Sequence, residues 1–284
     1  MDQQAYSYTM LSRLKNIPTL PVVINRLMEI PSLDHAVKDI IRIIEIDQSI
    51  ASKILKLSNS VFFGFSRKIS NLSEAVNLMG IDTIKAIALA TPIFNQETFE
   101  KFQRDNIDIT KLWLHASVCA FLARHMWNRV GIRDFDSGTV FASALFHDIG
   151  KYFLLLMYPE EYARILVDSE LEGKNTMFYE DEKLGINHSL LASIIFDKWN
   201  FPHSLFTPIK FHHNLDNIPN VYQKVAIVIN ACDKLAWNTG YGFMGSCEDD
   251  QNSLKEIGES TIQDSILYLE NNIDSIQNIS NFIS

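Results

Sequence analysis

Apolar residues along this chain recur at three- and four-residue spacings, the signature of helices with one buried face. The segment Val37–Leu57 places Ile40, Ile41, Ile44, Ile50, Ile54 and Leu57 on one such pattern, with Asp34 as a candidate cap. Leu72–Met79 follows, preceded by Ser70 and Asn71 and stopped by Gly80. Asp82–Leu89 is the next helix, and Pro92 ends its pattern. The polar stretch Asn95–Thr110 then interrupts the apolar density and marks a subdomain boundary. Five further segments read as helices: Lys111–Val130, Ser137–Ile149 with Asp136 as cap, Asn187–Trp199, a short one ending near His213 that Pro208 starts or kinks, and Val221–Trp237. From Cys247 onward, Ile262, Ile266, Leu267 and Leu269 carry a weaker pattern, a loop followed by a peripheral helix. No Asn-Gly or Asp-Gly turn is flanked by alternating residues. The chain reads as all-α, built from many short helices.

The apolar faces carry an unusual set of exceptions. In Lys111–Val130, His115 lies within the stripe Leu112, Cys119, Leu122 and Met126. In the next helix Val140 and Ala144 lead to His147, with Asp148 beside it. His188 heads the stripe Leu191, Ala192, Ile195 and Trp199; Leu205, Phe206 and Ile209 lead to His212 and His213; Ala226, Ile229 and Ala236 surround Asp233. Five helices therefore each aim an imidazole or a carboxylate inward. A lone histidine on an apolar face is more often a hydrogen-bonded core residue than a ligand. Several together are different. Burying uncompensated imidazoles with two carboxylates costs several kcal/mol, and convergence on a cation removes that cost. Mixed His and Asp donors suit one or two divalent ions of Fe, Mn, Zn, Ni or Co.

Length, charge and cysteine content narrow the setting. The 284 residues suffice for a large core. Three cysteines without a CxxC spacing point to reduced thiols and a cytoplasmic location. The start MDQQAYSYTM lacks a secretory leader, and no uncharged apolar run reaches about 18 residues, so no membrane span is expected. A formal net charge of -9 without a dense Lys/Arg cluster argues against nucleic-acid binding. P-loop, GxGxxG, GxSxG and HExxH motifs are all missing. Cys119 and Cys232 read as inert core thiols, His35, His125 and His203 as surface or capping residues, and Asp249-Asp250 as solvated loop. The Phe62, Phe63, Gly64, Phe65 cluster reads as a packed turn or an exposed contact.

The run His147-Asp148-Ile149-Gly150-Lys151 resembles the signature of the HD superfamily of metal-dependent phosphohydrolases. The resemblance narrows to the HDOD domain, the HD-related output domain of bacteria. It is carried by Ile17-Pro18-Thr19-Leu20-Pro21, Asp47-Gln48-Ser49-Ile50-Ala51, Leu57-Ser58-Asn59-Ser60, Phe63-Gly64, Ile69-Ser70-Asn71-Leu72, Ala75-Val76, Met79-Gly80 and Trp113-Leu114-His115-Ala116. Glu180, Gly185-Ile186-Asn187-His188, Trp199-Asn200-Phe201-Pro202 and the His212-His213 pair extend it. The similarity covers about residues 15–240.

The resemblance implies an N-terminal helical lobe over 1–100 packed on an HD-like lobe over 101–245, with a helical tail over 246–284. It implies a first metal on His115, His147, Asp148 and Asp233. A second ion would use His188, His212 and His213, with Asp148 bridging. Lys151 would sit close to a bound phosphate, and with Asp148 it would carry any catalysis. The family implies a signalling output or scaffold acting on protein partners. A phosphohydrolase with a nucleotide or phosphoester ligand and a diiron or redox sensor are the alternatives. The helical surface could support a homodimer.

Three departures from the family pattern stand out. Gln48 replaces a common Pro, Ala192 a common Gly, and Pro208 interrupts the segment before His212. Asn214 through Pro219 lack the GYP signature of cyclic-di-GMP phosphodiesterases, which makes that activity unexpected. The pattern begins near residue 15, so no receiver domain is expected ahead of it and regulation would come from a separate partner or ligand.

Overall fold

The computed structural model describes residues 20–31, 33, 36–59, 67–94, 97, 100–102, 107–131, 134–245 and 251–283. Its regular elements are all helical, and no strand occurs among the described residues. Asp34, His35, the Phe62–Phe65 cluster, Cys247 and Asp249-Asp250 lie outside them, as do parts of the N-terminal motif and of the 95–110 boundary.

Among the described residues the first five α-helices are α1 (Val22–Glu29), α2 (Val37–Ile44), α3 (Gln48–Ser58), α4 (Leu72–Met79) and α5 (Ile81–Ile93). The expected single helix over Val37–Leu57 is two. Asp47 adopts extended backbone, and its carboxylate accepts from the Ser49 and Ile50 N–H groups. That cap starts α3 with Gln48, and no proline, at its first position. Asn71 caps α4 through the Glu74 N–H, and Gly80 ends it at φ 85°, a conformation glycine adopts without strain. Asn59 ties the end of α3 to the segment before α4: its amide donates to the carbonyls of Leu55 and Ile69, and its oxygen accepts from the Ile69 N–H. These helices pack on one another through fully buried Ile24, Leu27, Ile40, Ile44 and Ile54. Helix α5 runs on to Ile93 and contains Pro92 in its last turn.

The remaining helices are α6 (Ile109–Val130), α7 (Ser137–Leu145), α8 (Ile149–Met157), α9 (Pro159–Glu172), α10 (Thr176–Leu184), α11 (His188–Lys198), α12 (His203–Phe211), α13 (Asn220–Asn238), α14 (Asn252–Ile257) and α15 (Glu259–Ile283). Asp108, Asp136, Asn175 and Asn187 cap α6, α7, α10 and α11 with their side chains. Helix α6 is the axis, flanked by α7, α13 and α15. Helices α11 and α12 pack together, against α8 and α13 respectively. Helix α5 meets α7, where the Thr139 hydroxyl donates to Asp82 at 2.6 Å.

Further expectations change. The helix read as Ser137–Ile149 ends at Leu145, and a new one begins at Ile149, so His147 and Asp148 occupy the turn between them. The apolar run Ser137–Met157 is long and hydrophobic enough to cross a membrane by composition, yet 89% of an 18-residue stretch of it is buried within the fold. The C-terminal helix is 25 residues long and lies along α6, burying Leu269 and Ile276. A carboxylate on it, Asp264, accepts from His125 Nε2 at 2.7 Å and Arg129 Nε at 3.0 Å, and Tyr268 stacks on His125. His125 is thus half-buried and bonded across helices, whereas His203 is exposed at the start of α12.

Candidate metal centre

Five structural units converge where α6, α11, the end of α12 and α13 surround the α7–α8 turn. They bring together His115, His147, Asp148, His188, His212, His213 and Asp233. His115, His147 and His212 are fully buried, Asp148 and His188 are 1% exposed, and Asp233 is 3% exposed. All seven residues singled out by the sequence as ligands therefore share one interior site, with Lys151 beside them.

The imidazoles are oriented from outside. His115 Nδ1 lies 2.9 Å from the Tyr241 carbonyl, His147 Nδ1 2.8 Å from the Ala144 carbonyl, and His212 Nδ1 2.7 Å from the Ile209 carbonyl. Only an N–H can satisfy a carbonyl, so each Nδ1 donates, and in the neutral ring Nε2 keeps its lone pair. His188 is held by a carboxylate instead: Glu180 Oε2 accepts from its Nδ1 at 2.7 Å and from its backbone N–H at 2.8 Å. The other Glu180 oxygen accepts from the Tyr162 hydroxyl at 2.6 Å. Outward Nδ1–H bonds of this kind fix the tautomer of metal-ligating histidines.

The inward atoms form two groups. His115, His147 and Asp233 offer atoms within 4.8 Å of one another, together with Cys119; Asp148, His188, His212 and His213 form the second group. Asp148 spans them. Its Oδ2 is 3.5 Å from His115 Nε2 and 3.6 Å from His147 Nε2, and its Oδ1 is 3.3 Å from His188 Nε2. The Lys151 ammonium, 5% exposed, donates to Oδ2 at 2.7 Å. Buried Asp148 Oδ1, His188 Nε2, His212 Nε2 and His213 Nδ1 have no hydrogen-bond partner. Four buried polar atoms without a hydrogen bond in one cluster fit a cation.

Charge states agree with that role. Burial pushes the imidazolium forms of His147 and His212 down, and it takes His213 to about 3 with help from His188. These rings are therefore neutral near pH 7, which is the ligating form. Burial opposes ionisation of Asp148, but the Lys151 ammonium and the surrounding imidazoles hold its carboxyl well below the usual range. Burial likewise opposes ionisation of Asp233, and its contact with His115, Nε2 to Oδ1 at 3.2 Å, holds its carboxyl low. The Lys151 ammonium is retained despite burial because Asp148 faces it.

Pro208 does not displace His212, whose ring remains in the cluster. Two groups escaped the sequence reading as site residues. Glu180 had only motif context, yet its carboxylate orients His188. The Tyr241 carbonyl leaves no side-chain signal at all. Cys119, read as an inert core thiol, has its sulfur 3.7 Å from His115 Nε2.

The comparisons agree with this architecture. The HDOD domain description matches residues 17–215. An HDOD domain protein with unknown function from Geobacter sulfurreducens superposes with a TM-score of 0.73 at 18% identity, over 100% of this chain and 99% of its own. A Shewanella amazonensis SB2B protein named as a candidate phosphohydrolase gives 0.72 at 17% identity, over 97% and 98%. A Marinobacter aquaeolei VT8 protein named as a candidate signal transduction protein gives 0.74 at 18%, over 99% of this chain and 66% of its own. At such identities the likeness shows the fold. An uncharacterised protein of Treponema pallidum (strain Nichols) is 23% identical over 178 residues, 62% of this chain and 33% of that protein. The chain thus spans about a third of the length of that curated relative. With the His-Asp turn set in an all-helical core and the domain match extending over most of the sequence, the chain belongs to the HDOD family.

Proposed function

We propose that this chain is a signalling output protein of the HDOD type, whose interior centre holds one or two divalent ions and whose helical surface acts on protein partners. The observation that carries this reading is the enclosure of the centre. Six of the seven candidate ligands are at most 3% exposed, and Lys151 is turned onto Asp148. A phosphoester would have to displace packed helices to reach them. An ion would instead replace missing hydrogen bonds and tie α6, α11, α12, α13 and the α7–α8 turn together. Ion binding then stabilises the folded form by mass action and sets the conformation offered to a partner.

The test combines metal analysis with turnover. Protein purified anaerobically without a metal-binding tag is expected to carry one or two ions per chain, lost in His147→Ala. Loading should raise the thermal midpoint of the parent chain and leave the variant unmoved. Phosphomonoesters, nucleoside triphosphates and cyclic nucleotides should not turn over. Robust hydrolysis abolished by Asp148→Ala would overturn the output reading.

Such hydrolysis would favour the second reading, a metal-dependent phosphohydrolase. Its specific support is Lys151, a buried ammonium beside Asp148 that could neutralise phosphate. A divalent ion would there supply Lewis acidity and an activated water. His188, His212 and His213 also suit iron, and redox-dependent iron content would favour a sensor instead.

A further inference from the structure

Cys119 lies one helical turn beyond His115 on α6, fully buried. Its Sγ is 3.7 Å from His115 Nε2 and 4.0 Å from His115 Nδ1. The same group contains His147 and Asp233, all offering atoms within 4.8 Å of one another. A second observation, independent of the sulfur, points to a ligand there. His115 and His147 both donate outward through Nδ1, so their Nε2 lone pairs face each other at 3.2 Å. The Asp233 carboxylate adds negative charge 3.2 Å from His115 Nε2 and 3.9 Å from His147 Nε2. Facing lone pairs beside a carboxylate repel unless a proton or a metal ion lies among them, and the buried cluster has room for either.

The spacing also fits. A tetrahedral zinc with nitrogen at about 2.0–2.1 Å and sulfur at about 2.3 Å separates its N and S donors by about 3.6 Å. The same ion separates N from N, or N from O, by about 3.3 Å. The corresponding distances around His115 Nε2 are 3.7, 3.2 and 3.2 Å. Asp148 Oδ2, the competing donor, is engaged by the Lys151 ammonium.

We propose that Cys119 is the fourth ligand of an ion held by His115, His147 and Asp233, making this subsite a thiolate site. The proposal rests on the metal reading above and adds the sulfur and its selectivity. Binding converts the thiol to a thiolate and releases its proton to solvent. Thiolate ligation favours zinc, cobalt or iron over manganese and magnesium. The second group, free of sulfur, carries no such bias.

Cobalt(II) titration of the metal-free full chain tests this. The expected spectrum has a near-ultraviolet thiolate-to-cobalt charge-transfer band, unchanged in Cys232→Ser and Cys247→Ser. Cys119→Ser should lose the band while keeping its visible cobalt bands and stoichiometry. Should Cys119→Ser fail to fold, X-ray absorption of the zinc-loaded Cys247→Ser chain reads the same point, with one sulfur expected at about 2.3 Å. Cobalt or zinc bound with nitrogen and oxygen scatterers only, or a band that persists in Cys119→Ser, overturns the proposal and leaves the metal reading standing. Absence of any bound cobalt or zinc overturns both.

Discussion

Gly150 shows how tightly the centre is braced by its neighbours. A β-carbon at this position would collide with the backbone carbonyl of His188, because α8 approaches α11 there without an intervening side chain. Backbone cannot yield as a flexible side chain does. Gly150→Ala is therefore expected to destabilise by about 1–3 kcal/mol, as overpacking does, and to displace His188. A denaturant midpoint close to that of the parent chain would contradict it. Glu180 offers a second residue-scale test. Its carboxylate sets His188 through two hydrogen bonds while also accepting from Tyr162. Glu180→Gln should weaken binding of the ion served by His188 by about 10- to 100-fold, leaving the subsite of His115 and His147 largely unchanged. Competitive chelator titration separates the two, and exposed Glu172→Gln is the control.

At the scale of elements, α15 is more than a peripheral tail. It lies along α6, the helix that carries His115, and buries Leu269 to 2% exposure while Leu267 remains 56% exposed. Leu269→Ala should cost about 2–5 kcal/mol through lost burial and the cavity left behind, whereas Leu267→Ala should cost far less. Equal midpoints for the two variants would mean that α15 does not support α6. The ion pairs of Asp264 with His125 and Arg129 are partly exposed and should contribute less than the buried leucine. The division at Asp47 teaches the same lesson. A continuous helical pattern through Val37–Leu57 breaks because one carboxylate bonds two backbone N–H groups, a local competition that apolar spacing does not record.

For the whole molecule, pH dependence follows from the buried rings. His147, His212 and His213 have lowered pKa values in the fold, against about 6.5 when unfolded. Below about 6.5 the unfolded chain takes up protons that the folded chain refuses, so stability falls as pH falls. For His213 the loss continues toward its folded value of about 3. The carboxyls of Asp148, Asp233 and Glu180 are lowered, so their contribution is present above the usual carboxylate range and is lost only below it. In chelator, the denaturant midpoint should thus fall between pH 7.5 and 5, with the histidines as its cause. For His213 the loss should be on the order of 1 kcal/mol or more. His213→Gln should flatten the slope; an unchanged slope would remove His213 from this account.

The sequence by itself determined the helical class, since three- and four-residue apolar spacing persists where alternation is scarce. It also determined the candidate ligands, because charged and imidazole groups on apolar faces stand out against their stripes. Caps such as Asn71 and Asp136 were legible for the same local reason: each side chain serves its own helix. Only the tertiary structure decided that the seven ligand candidates meet, and that they divide into two groups joined by Asp148. It alone placed the Tyr241 carbonyl behind His115, 126 residues away along the chain, and the Glu180 carboxylate behind His188. Carbonyls carry no residue identity, and a single glutamate in a helix looks like solvated surface. Cys119 belongs to the same class, because a cysteine on an apolar stripe is ordinary until the fold brings His147 and Asp233 to its sulfur. Periodicity reports which face of each helix turns inward; which inward faces meet is settled by the packing of helices far apart in sequence.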